Sequence, residues 1–134
     1  MIKSGDQIEY DFYILIENSS LKDFVRGSIY RDEARPHNAI TEDLEITFKV
    51  ADGAQFQSGE VSINVYVPHI DSVNRKVRDY TRCRMVGNKL LEVADRLTND
   101  EYLIEVLTTP KSIPIDGLDQ TMVNMRLEFT RVKD

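Results

Sequence analysis

Little in this chain could serve as a reagent. It holds one cysteine, Cys83, and two histidines, His37 and His69. A lone cysteine excludes an internal disulfide and nearly excludes a thiolate metal centre. Folding in a reducing compartment is the simplest expectation. Each histidine follows a proline, in Pro36-His37 and Pro68-His69, and neither has a second ligand type at metal spacing. Both read as exposed loop residues. Gly53, Gly59 and Gly87 form no phosphate-binding motif, and no serine sits in a nucleophile elbow. No apolar run approaches the roughly 20 residues of a membrane helix. The opening MIKSGDQIEYDF lacks a signal-peptide core, so a soluble chain, cytoplasmic where it is made, is expected. Positive charge is short as well: 17 basic residues face 23 acidic ones, a net charge of -6. That balance disfavours a dedicated nucleic-acid binder, which needs a clustered basic face.

What is present is ordinary for one soluble domain: 134 residues, 41% hydrophobic and 30% charged, with no linker or repeat. Residues 1–134 read as a single unit. Ile8, Phe12, Leu15 and Ile16 lie at helical spacing, with Asp6 as a candidate cap and Glu9 three residues on. Asn18-Ser19-Ser20 breaks that helix, and Leu21, Phe24 and Val25 begin a short second one ending at Gly27. Ile29-Tyr30 reads as a brief strand and Arg35-Pro36-His37-Asn38 as an exposed loop. Leu44, Ile46, Phe48 and Val50 alternate with polar residues, as do Val61, Ile63, Val65 and Val67. Asp52-Gly53 lies between them, so the two form an antiparallel pair.

From Val73 to Leu97 the apolar spacing predicts one long helix, with Gly87 inside it. A mid-helix glycine costs about 1 kcal/mol relative to alanine, and usually means that another element passes close by. Tyr102, Ile104 and Val106 form a further strand, Pro110 and Pro114 bracket a loop, and Asp116-Gly117 makes a turn. Val123, Met125, Leu127 and Phe129 close the chain as a last strand. The order predicts an α+β fold, a mainly antiparallel sheet with two helices packed on one face.

Candidate chemistry is sparse. Arg82 and Arg84 flank Cys83 and could activate its thiol, although a small helix residue among solvated arginines is the simpler reading. Asp32-Glu33 and Glu42-Asp43 could hold Mg²⁺ for a nuclease, or lie in solvated turns. Arg75, Arg78 and Arg82 would share one side of the long helix and could meet an acidic patch on a neighbouring subunit or a phosphate backbone. Gln55, Phe56 and Gln57 put an aromatic at a loop tip, where Phe56 is expected to pack against a neighbouring protein. No catalytic residue, cofactor site or metal site is assigned.

The segment Leu21–Val67 carries a V-x-G-x-I-Y step within LKDFVRGSIYRDEARP, then EDLEITFKV and VSINVYVP, followed by RDYTRCRMVGNKLLEVADRL. In this order the chain resembles the tail-terminator and tail-completion proteins of long-tailed bacteriophages and prophages, over nearly its whole length. It departs from them in its immediate N-terminal helix and its longer Pro110–Asp119 loop. The resemblance implies a non-enzymatic ring, commonly a hexamer, that caps the tail tube, ends its polymerisation and joins head-completion or neck proteins. It places the protein in the virion tail or the host bacterial cytoplasm, without membrane or sequence-specific nucleic acid as partner. A head–tail connector or neck component, and a small cytoplasmic adaptor, are the alternatives.

Overall fold

The structure, a computed structural model, describes residues 2–50 and 57–132. Helix α1 (Gly5–Glu17) starts earlier than Asp6 would allow as a cap. Ser4 is the capping residue, in extended conformation, and its hydroxyl accepts from the Gln7 amide at 3.1 Å. Asp6 stays in the first turn, where the helix dipole favours a carboxylate. Ile8, Phe12 and Ile16 form the buried stripe. α2 (Leu21–Phe24) is one turn, and Ser19 bonds both the end of α1 and the Leu21 amide.

Next come β1 (Ile29–Tyr30), β2 (Asp43–Val50) and β3 (Ser58–Pro68). β2 and β3 pair antiparallel in the expected alternation, with Val61, Ile63, Val65 and Val67 buried. β1 runs parallel to β2. Gly27 does not stop a helix. A Cβ there would lie 2.2 Å from Asp43 Oδ1 and 2.4 Å from the Glu42 carbonyl oxygen, so the glycine allows the chain to lie on the start of β2.

The long helix expected from Val73 is divided. β4 (Ile70–Ser72) and β5 (Arg75–Val77) form a hairpin, and α3 (Tyr80–Ala94) begins only after Asp79, whose carboxylate caps the Arg82 amide at 3.0 Å. Val73 and Asn74 form the hairpin turn at φ 30 and 64. The apolar spacing of Val73, Val77 and Tyr80 imitated a helix, while Asn74, suited to positive φ, was the turn signal.

β6 (Tyr102–Pro114) and β7 (Gln120–Arg131) complete the described elements. Pro110 and Pro114 do not bracket a loop. They belong to β6, which lies at the sheet edge, where the missing amide donors are tolerated, and its register slips twice between Val106 and Lys111. The main sheet of the described residues runs β1-β2-β3-β7-β6, antiparallel apart from β1, in an α+β fold with the helices on one face. Phe12, Phe48, Tyr102 and Phe129 make the aromatic centre of the core, with Phe12 and Phe129 ring centroids 4.9 Å apart. Gly117 takes the left-handed conformation in the β6–β7 turn, at φ 78.

Candidate interaction surfaces

Glu42 and Asp43 are not in a solvated turn. They are 4% and 1% exposed, and each is held by a buried arginine. Leu44 faces the core, so strand alternation sends Glu42 to the helix side and Asp43 to the opposite face. Arg82 Nε donates to Glu42 Oε1 at 2.7 Å and Nη2 to Oε2 at 2.8 Å. The same Nη2 donates to the Phe24 carbonyl at 2.9 Å, and the guanidinium lies 4.4 Å from the Phe24 ring centroid. The Arg26 amide adds a third bond to Glu42. The hydrogen bond to Glu42 is the main cause that raises the Arg82 pKa.

On the other face, Arg35 Nε donates to Asp43 Oδ2 at 3.0 Å and stacks 4.0 Å from the Tyr66 ring centroid. Thr41 and the Ser28 amide also donate to Asp43, while Arg35 reaches the Thr41 carbonyl and Gln120. These two pairs pin residues 24–43 to the sheet. No buried side-chain polar atom among the described residues lacks a partner.

This arrangement corrects several expectations. Arg82 is 7% exposed and engaged inside the molecule. Arg75 belongs to β5 and Arg78 to the β5–α3 connection, so the three arginines share no helix face. Gln57 is 5% exposed and fixes the N-terminal segment: its side chain bonds Lys3 N at 2.9 Å and Lys3 O at 2.8 Å. Gln55 and Phe56 lie outside the described residues, as does the Asp52-Gly53 turn. Cys83 is buried, and burial pushes its pKa up rather than activating it.

Glu42 does not join Asp32 and Glu33, which remain exposed beside a separate cleft. No cluster suited to a metal occurs among the described residues. A cavity of about 200 Å³ beside Glu42 and Arg82 also touches His69 and Asp79. Those groups are committed: Asp79 caps α3, and His69 Nε2 lies 3.0 Å from Thr121 Oγ1.

Among the described residues, two surfaces gather several charges that lie outside the described ion pairs. The first is a groove of about 340 Å³ between α3 and β6, with Tyr80, Gly87, Leu91 and Pro110 along it and Arg78, Arg84 and Lys111 around it. The described ion pairs give none of those three cations a carboxylate partner. The second is a cleft of about 610 Å³ lined by Asp32, Glu33, Glu45, Tyr66, Ile115 and Leu118 among others. Glu45 and Tyr66 alternate with the core residues Leu44, Val65 and Val67, which puts this cleft on the helix-free face.

Sequence reasoning named Arg78 and Arg84 as part of a basic stretch but missed Tyr80, Leu91 and Lys111 as residues of this groove. For those three, the glycine at position 87 was the available signal. No protein-family model and no curated protein matches this chain.

Proposed function

We propose that this protein is a structural subunit of a long-tailed bacteriophage or prophage tail. In this reading it assembles into a ring that caps the tail tube, ends polymerisation and presents the joint for a head-completion or neck protein. It acts in the virion tail, after synthesis in the host bacterial cytoplasm, and does no chemistry. The observation that carries the reading is how charge is used. Arg35, Glu42, Asp43 and Arg82 are spent on fixing a long loop to the sheet, while the groove beside α3 and the cleft on the helix-free face carry unpaired charge of opposite sign. Surfaces of that kind suit head-to-tail contacts between copies, which close into rings when the rotation between copies permits. The layout of helix, short strand, arginine-proline loop, central strand pair, helix and closing strands adds the resemblance to tail terminators.

Co-expression with a phage tail tube protein tests it, read by native mass spectrometry and electron microscopy. Rings alone or on tube ends, with tubes halted in growth, are expected. A chain that stays monomeric beside tubes that keep lengthening would sink the proposal. A connector or neck role predicts rings that bind the head vertex and ignore bare tubes. The groove beside α3 favours a second reading, a monomeric adaptor for an acidic segment, which light scattering separates from a ring.

A further inference from the structure

We propose that the groove between α3 and β6 receives the acidic turn at Asp32-Glu33 of a second copy of this chain, building a head-to-tail contact. This rests on the ring-forming reading above and names its interface.

Charge complementarity is the first ground. The protein is acidic overall, with a net charge of -6, yet the groove carries Arg78, Arg84 and Lys111 and no carboxylate among its lining residues. Asp32 and Glu33 are exposed and unpaired in the described ion pairs, and Glu33 sits at φ 64, in a turn. Apolar surface accompanies charge on both sides. Tyr80 is 70% exposed in the groove, and Leu118 is 41% exposed at the acidic cleft. The two surfaces share no residue, as heterologous association requires, and they lie on opposite faces of the sheet.

Gly87 is the second ground. A Cβ added there would meet only Pro110 Cβ, at 3.5 Å, an ordinary contact. Packing within the monomer therefore does not demand glycine, although glycine weakens a helix interior. What it does is keep the groove floor low where a partner's backbone would approach.

The backbone edge of β6 points the same way. Thr98 Oγ1 bonds both the amide and the carbonyl of Ile104, and Asn99 bonds both groups of Tyr102. With the start of this edge already occupied, copies meet more readily through side chains than by adding strand to strand.

The test uses the full chain and reads association by sedimentation and native mass spectrometry. Arg84→Glu and Glu33→Arg each weaken self-association about tenfold or more, and mixing the two variants restores it, because each supplies the surface that the other has reversed. Gly87→Ala leaves every charge in place, raises Tm by about 3–5 °C, and weakens assembly. Assembly that survives all three variants overturns the proposal and leaves the ring reading intact. A wild-type chain that stays monomeric with its tail tube present overturns both. A monomer that takes up a poly-glutamate peptide in the groove overturns the choice of a second copy as occupant.

Discussion

At the residue scale the adjacent pair Glu42 and Asp43 decides how the loop is held. Each carboxylate meets a buried arginine, Arg82 for Glu42 and Arg35 for Asp43, and each also accepts from a backbone amide. Removing one partner of such a pair leaves a buried charge without compensation. Glu42→Ala is therefore expected to lower unfolding free energy by about 3–5 kcal/mol, measured by urea denaturation. The double replacement Glu42→Leu with Arg82→Met is expected to cost less than Glu42→Ala, since no charge is left stranded.

A second cluster ties the N-terminus down. Lys3 bridges Asp11 and Glu101, and Tyr102 donates to Asp11 at 2.6 Å. Burial pushes both carboxyl groups up, but their hydrogen bonds, from Lys3 above all, outweigh it and hold both below the ordinary values of 3.8 and 4.5. A depressed carboxyl contributes stability above its unfolded pKa and loses it as pH falls through the folded one. Stability should thus decline as pH drops below 4.5. Lys3→Met should lower stability at neutral pH and flatten that decline, as read by denaturant midpoints at a series of pH values.

At the element scale, the β4–β5 hairpin is the least conventional part. Val73 is 91% exposed and holds a β-branched side chain at φ 30. That conformation disfavours any residue with a Cβ, and a branched one most. Val73→Asn should relieve about 1 kcal/mol of local strain, seen as slower amide hydrogen exchange across Ile70–Val77. The hairpin lacks packing of its own, with β4 exposed throughout. By contrast, the edge of β6 is guarded by Thr98, Asn99 and two prolines, devices that block unplanned strand pairing.

At the scale of the whole molecule, the proposed ring would bring together copies of an acidic protein, which repel one another. Local patches of opposite sign overcome that repulsion at short range, and exposed charges are screened by salt. Self-association is therefore expected to weaken as salt rises from about 0.05 to 0.5 M, measured by sedimentation velocity. Association unchanged or strengthened by salt would point to apolar contacts alone.

Sequence alone determined the α+β class, α1, the β2–β3 pair and β7, because apolar residues at a period of two or 3.6 report which side of an element is buried. It could not determine that Ile70 to Val77 form a hairpin, since helical spacing recurred from Val73 by coincidence, or that prolines sit inside β6, since edge position depends on strand order. Tertiary structure alone decided that Glu42, Asp43, Arg35 and Arg82 are buried partners. A charge looks the same in sequence whether water or a distant counter-charge neutralises it, and Glu42 and Arg82 stand 40 residues apart. The groove beside Gly87 was half legible: the glycine stood out, but the strand that forms its other wall arrived only with the fold.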